Sequence, residues 1–272
     1  MSRRPRRCMS SPGLAEANGL VVHRGAQRVL DGVSATLYPG EVVAITGENG
    51  SGKTTLIEAF AGILPLRSGD VIWTENGNSI VVRDSQGRRN QPPSMGLTLQ
   101  KGGVCGDETV FERISVSLSV GGIEHDYEQI IELLSLWGLE HRANDRLAHL
   151  SGGLRRRAAI LGGLAPAVLS KSPKVILLDE PSEGLDDSAK DILRSWIRSL
   201  SSRNHAILMA THDRDISSSA DRVLTIRDGS IEEQKGESSG EICNLPNPGE
   251  RGDQTPLSSL VKWSIKMEAR NP

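Results

Sequence analysis

Two short stretches of this sequence are built from residue types that handle phosphate and water. The first is Gly47-Glu48-Asn49-Gly50-Ser51-Gly52-Lys53-Thr54, a GxxxxGK[ST] pattern. Its glycines let the backbone curl until successive N–H groups point inward at phosphate oxygens. Lys53 adds a point charge for the terminal phosphates, the Thr54 hydroxyl is a ligand for Mg2+, and Thr55 continues into a helix whose positive end faces the same anion. The second stretch is Asp179-Glu180, at the end of an apolar run. Two adjacent acids in one role repel, so Asp179 is assigned to the metal side and Glu180 to polarising an attacking water as general base.

Both stretches need a rigid frame. The continuous apolar run 42–46 reads as a strand buried on both faces, followed by the glycine-rich loop and a helix over 54–60. Residues 175–178 and 206–210 are two further buried strands. Between them, Ile192, Leu193, Trp196, Ile197 and Leu200 share one helix face, with Asp186 or Asp187 placed as its cap. This alternation predicts a largely parallel α/β sheet. Short β-leaning pieces over 20–37 predict antiparallel strands, and the polar stretch 75–93 a surface hairpin. Residues 108–149 read as mostly helical, with Ile130, Ile131, Leu133, Leu134 and Leu136 on one apolar face. A further helix begins at Ser151, and Pro166 bends or ends it.

Leu150-Ser151-Gly152-Gly153, lying between the loop and Asp179, resembles the signature of ATP-binding-cassette (ABC) ATPases. Other segments match in the family's order over about residues 18–232. Gln100 is similar to the Q-loop glutamine, Ser182-Glu183-Gly184-Leu185-Asp186 to the D-loop, Thr211-His212-Asp213 to the switch-histidine segment, and Ala220-Asp221-Arg222-Val223 with Asp228-Gly229 to the closing strand and turn. The resemblance implies a P-loop NTPase of the ABC type, with a mainly parallel sheet core, an antiparallel β subdomain and a small helical subdomain. It also implies that residues 47–55 bind ATP, that Gln100 joins Thr54 and Asp179 around Mg2+, and that His212 contacts the γ-phosphate. Ser151, Gly152 and Gly153 would close over a nucleotide held by a second cassette, identical or paralogous. The chain would drive solute transport through separate transmembrane permease subunits, from the cytoplasmic face of the cell membrane. A soluble ABC ATPase serving an assembly such as cofactor biogenesis is the alternative.

The sequence departs from the family pattern in two places. Leu154 stands where glutamine is common, followed by Arg155, Arg156 and Arg157, which read as a solvated helix face. The segment Val22-His23-Arg24-Gly25 lacks the aromatic residue that stacks on adenine, leaving His23 or Arg24 for that task.

Bulk properties narrow the remaining choices. The 272 residues carry 32 basic and 34 acidic side chains, a net charge of −2, which argues against a nucleic-acid partner held by phosphate neutralisation. Three cysteines, Cys8, Cys105 and Cys243, form no metal-ligand spacing and fit a reducing compartment. The basic opening is not followed by an apolar signal region, and no stretch approaches the ~20 apolar residues of a membrane span. The expected organisation is a flexible basic tail over 1–13, an ATPase domain over 14–232 with its helical subdomain at about 105–165, and a flexible tail over 233–272. Within that last tail, residues 257–270 have the pattern of a short amphipathic helix.

Overall fold

The computed structural model describes residues 12–100 and 106–248. The chain opens with two long strands, β1 (Ala15–Arg24) and β2 (Gln27–Leu37), which pair antiparallel. It then enters β3 (Val42–Thr46) and the helix α1 (Lys53–Phe60). β4 (Ser68–Glu75) and β5 (Asn78–Asp84) form a hairpin whose turn residues Asn76 and Gly77 both have positive φ, as a two-residue type I′ turn requires. These four strands make one antiparallel sheet in the order β2-β1-β4-β5.

The short strand β6 (Gly96–Thr98) leads to the helical part: α2 (Val110–Val120), α3 (Tyr127–Leu136) and α4 (Gly152–Val168). α2 and α3 each start with a reciprocal capping box, Thr109 with Glu112 and Asp126 with Gln129. Ile130, Leu133 and Leu134 are buried as the spacing predicts, whereas Leu136 ends its helix partly exposed. The chain then returns through β7 (Val175–Asp179), α5 (Asp187–Ser202), β8 (Ala206–Ala210), the short α6 (Arg214–Ser217), and the hairpin β9 (Arg222–Arg227) and β10 (Ser230–Lys235). The second sheet runs β10-β9-β3-β8-β7-β6, parallel except for β10.

The alternating side chains of β3 divide two cores. Val42 and Ala44 belong to the core shared with α2 to α5, and Val43 and Ile45 to the core between this sheet, α1 and the antiparallel sheet. Burial on both faces is why these strands are uninterrupted apolar runs.

α4 joins the helical part to the sheet. A Cβ on Gly163 would lie 2.0 Å from Thr98 Oγ1, so only glycine lets the helix approach β6 this closely. Trp137 and Trp196 meet edge to face at 5.4 Å and tie α3 to α5. Pro166 sits in the last turn of α4, which ends at Val168.

The packed chain extends beyond the boundary expected at residue 232. β10 runs to Lys235; residues 236–239 bond to the segment 218–221 after α6, and Cys243 to Pro246 then pack on α5 and its C-cap Arg203. Leu245 is buried, Arg203 donates to the carbonyls of Leu245 and Pro246, and the Cys243 N–H donates to Ser199 Oγ at 2.8 Å. One buried leucine and an arginine that collects backbone carbonyls dock a segment whose composition is otherwise that of a linker. The helix expected over 257–270 and the basic tail through residue 11 lie outside the described residues. Leu245→Ala should lower unfolding stability by about 2 kcal/mol, measured as a shift of the urea midpoint; an unshifted midpoint would show the segment to be energetically idle.

Candidate active site

The parallel sheet places the glycine-rich loop and the two acids at the same edge. Residues 47–54 leave β3 and enter α1, whose N-cap Gly52 has φ 115° and whose first N–H groups no side chain caps. They remain available to an anion. Gly47, at φ 142°, is packed so that a Cβ would meet Ser51 Oγ at 2.7 Å and the Ile226 carbonyl at 2.8 Å. Lys53 is buried, and its Nζ donates to the carbonyls of Gly47 (2.9 Å) and Glu48 (3.0 Å), folding the charge back across the loop. Asn49 and Gly50 are exposed, while Ser51 Oγ is buried without a hydrogen-bond partner. A cleft of about 760 Å³ opens beside the loop, walled by Gln27, Arg28 and Val29 and by residues 225–229.

Neither His23 nor Arg24 lines this cleft. Arg24 is turned onto α1, where it pairs with Glu58 and donates to Thr55 Oγ1 at 3.4 Å. Residues of the turn into β2 form the wall instead.

β7 and β8 run parallel with Asp179 opposite Ala210, and the Glu180 N–H continues the ladder to the Ala210 carbonyl at 2.8 Å. That register brings His212 beside Glu180. His212 Nδ1 lies 2.8 Å from Glu180 Oε2, and the His212 backbone N–H donates to the same oxygen at 3.3 Å. The imidazole is mostly solvent-exposed while Glu180 is buried, so the histidine stands between the carboxylate and the open side. Glu180 has φ 46°, a left-handed conformation that a non-glycine residue holds only under constraint.

Asp179 is 1% exposed, and neither of its oxygens has a hydrogen-bond partner. Burial pushes its carboxyl above the usual carboxylate range, and the charges of Glu180 and Glu58 act in the same direction. The Thr54 hydroxyl stands beside it, outside hydrogen-bonding geometry, and with Lys53 works against the rise. Two buried oxygens without a donor, next to a hydroxyl, fit a small hard cation that takes oxygen ligands. Thr54, Asp179, Glu180 and His212 therefore converge. Gln100 is exposed and its amide donates to Glu183 at 3.1 Å; among the described residues no hydrogen bond links its side chain to Thr54 or Asp179.

Ser151, Gly152 and Gly153 lie elsewhere, at the start of α4. Ser151 Oγ caps the helix through the Leu154 N–H at 3.4 Å, and Ser151 and Gly152 face solvent. Among the described residues, no hydrogen bond links these three to the loop 47–54.

The three arginines after Leu154 are not a solvated face. Arg155 is exposed, but Arg156 donates to four backbone carbonyls: Leu99 (3.2 Å), Gln100 (3.4 Å), Asp179 (3.4 Å) and Glu180 (2.6 Å). Burial lowers its pKa, opposed by the charges of Glu183, Asp179 and Glu180. Arg157 grips both oxygens of Asp186 at 2.7 and 2.6 Å. Asp186 is also the cap of α5, and the Ala189 N–H, then Arg157, hold its carboxyl below the usual range. A signal for this was present in the sequence: Arg156 and Arg157 precede the buried Ala159, Ile160 and Leu161 by three or four residues, on the inward side of α4.

The family model described as ABC transporter matches residues 30–183. A putative ABC transporter ATP-binding protein of Halobacterium salinarum is 34% identical over 216 residues, covering 78% of this chain and 88% of that protein. The sulfate/thiosulfate import ATP-binding protein CysA of Bordetella parapertussis is 34% identical over 227 residues, covering 80% of this chain and 60% of its own length. The macrolide export ATP-binding/permease protein MacB of an Azoarcus strain is 32% identical over 206 residues, and the chain spans only 30% of it. Among solved structures, a dimeric post-hydrolysis ATP-binding cassette bound to ADP and Pi superposes with TM-score 0.69 at 21% identity, covering 83% of this chain and 99% of that one. An ATP-binding subunit of an ABC transporter gives TM-score 0.68 at 24% identity, covering 82% and 90%.

The buried carboxylate sets a testable stability signature. A carboxyl whose folded pKa is raised binds its proton more tightly in the folded state, so stability falls as pH rises from the ordinary carboxylate value through the raised one. Asp179→Asn removes that penalty. Without nucleotide or Mg2+, the variant should exceed wild type in urea unfolding at pH 7, with the gap closing towards pH ~4. A less stable variant at pH 7 would contradict this account of the site.

Proposed function

The chain belongs to the ABC transporter family, and from that premise we propose that it is the ATP-hydrolysing subunit which drives solute movement through separate transmembrane permease subunits. The observation that carries the hydrolytic part is the meeting of Glu180 and His212 above the donor-free Asp179, at the edge where the loop 47–54 presents its N–H groups. Relatives named for macrolide export and for sulfate/thiosulfate import share the cassette, which supports an engine whose cargo is chosen by the permease. Among the described residues no helix is long and apolar enough to cross a membrane, so the permease role falls to other chains or segments. The chain then works peripherally, on the cytoplasmic face.

ATP binding begins with residues 47–55. The backbone N–H groups of the loop and the uncapped start of α1 take the phosphates, and Lys53 moves its ammonium from the Gly47 and Glu48 carbonyls onto the terminal phosphates. Thr54, Asp179 and Gln100 are the residues that hold Mg2+, which when bound supplies charge neutralisation on the phosphate oxygens. Glu180 accepts a proton from the attacking water, and His212, already in contact with that carboxylate, holds the γ-phosphate side. Cleavage of the terminal phosphoanhydride bond by that water gives ADP and phosphate.

Ser151, Gly152 and Gly153 are the second half of a composite site. They stand at a helix start, Ser151 and Gly152 facing solvent, with no hydrogen bond among the described residues to this chain's own loop, which suits closure over the nucleotide of a second cassette. Two chains packed head to tail would each complete the other.

Glu180→Gln keeps the shape of the side chain and removes the base. MgATP should still bind, turnover should fall by at least ~100-fold, and light scattering after gel filtration should find an ATP-stabilised dimer. Wild-type turnover in this variant would remove Glu180 from the mechanism. Isolation of the intact complex from membranes should yield a polytopic membrane protein with the chain; recovery with soluble scaffold proteins alone would move the cassette to assembly chemistry.

A further inference from the structure

Arg156 stands five residues after Ser151, within the first turns of α4. Its surroundings are unusual for an arginine. Among the described residues its four hydrogen bonds all go to backbone carbonyls and none to a side chain, and the carbonyls come from two segments that are remote in sequence. One segment, Leu99 and Gln100, leaves β6 for the helical part. The other, Asp179 and Glu180, ends β7. A planar guanidinium with five donors can span both at once, which a single ammonium cannot. The shortest of the four, 2.6 Å, is to the carbonyl of Glu180, the residue held at φ 46°. That carbonyl also accepts the Glu183 N–H at 3.2 Å, at the start of the turn that Arg157 fastens through Asp186.

We propose that Arg156 is a positioning residue that locks the backbone of Glu180 and the Gln100 loop to the start of the signature helix, coupling a chain's own hydrolytic geometry to the seating of its Ser151 on the partner's nucleotide. The proposal rests on the reading of Glu180 as general base and of Ser151 as a contact in trans. The coupling is reciprocal, as any linkage of two equilibria must be. A shift of α4 when Ser151 engages the partner moves Arg156, and Arg156 carries the Glu180 carbonyl and the Gln100 loop with it. Among the described residues Arg156 makes no hydrogen bond to residues 47–55, and it holds Gln100 and Asp179 by their backbone carbonyls rather than by the side chains assigned to Mg2+, so the phosphate-binding loop itself is left out of this chain of contacts. Loss of the arginine therefore spares ATP binding and damages turnover and pairing.

The full-length chain tests this with Arg156→Gln and Arg156→Lys, measured beside Glu180→Gln. ATP affinity from equilibrium titration should stay within about twofold of wild type while kcat falls at least ~10-fold in both variants. Arg156→Lys keeps the charge but cannot span the two segments, so it should not restore kcat. In the Glu180→Gln background, Arg156→Gln should weaken the ATP-stabilised dimer by ~10-fold or more in its monomer–dimer equilibrium. Wild-type kcat and pairing in Arg156→Gln would overturn the proposal. So would a parallel loss of ATP affinity and kcat that Arg156→Lys fully repairs, since that is the behaviour of a packing charge. If Arg156→Gln does not fold, Arg156→Lys decides alone: normal kcat rejects the lock, and reduced kcat with normal ATP affinity supports it. Glu180→Gln separates the two layers, because wild-type turnover there would fault the base assignment itself.

Discussion

The structure depends on keeping a set of polar groups unsatisfied at one edge of a buried sheet. Asp179 carries two donor-free oxygens at 1% exposure, Ser51 Oγ is buried without a partner, and the first turn of α1 has no side-chain cap. Each such group costs about 1–3 kcal/mol relative to a satisfied one. A fold tolerates them only if the surrounding frame cannot relax to satisfy them. Here β3, β7 and β8 are buried on both faces and locked in parallel register, so their ends are fixed in space. In the proposed function, phosphate and Mg2+ would be the partners that such an edge takes.

The helical part is attached to this edge by polar fasteners as well as by apolar packing. α4 lies against β6 through Gly163, and its two consecutive arginines reach into the backbone of the hydrolytic strand end and the side chain of Asp186. The same helix begins with the exposed Ser151. One rigid rod thus carries the surface that would meet a partner's nucleotide and the donors that grip the chain's own site.

Much of this was legible in the sequence, and the exceptions share a cause. The loop 47–54 and the strands around it could be read because glycine spacing and unbroken apolar runs are local signals. Glu180 and His212 could be named from the order of motifs, but their 2.8 Å contact follows from the β7–β8 register, which joins residues 32 positions apart. The run of three arginines reads as a polar face, whereas Arg156 is held by acceptors at 99–100 and 179–180 that are backbone atoms with no residue-type signature. Arg24 was available for the base on paper, yet the acid Glu58 on α1 claims it. Residues 236–248 have a linker's composition, and only Leu245 and the distant Arg203 reveal why they pack.

In the proposed mechanism each chain holds two halves of different sites. This arrangement is tested most directly by mixing two inactive variants, Lys53→Ala and a Ser151 variant bearing a bulky side chain such as Ser151→Phe. In a mixed pair, the intact loop and Glu180 of the Ser151 variant face the intact signature of the Lys53 variant, while the other site is doubly broken. Steady-state ATP hydrolysis should therefore reappear on mixing and rise with the fraction of mixed pairs. Activity in Ser151→Phe alone, or none above the sum of the separate variants on mixing, would contradict a site completed in trans.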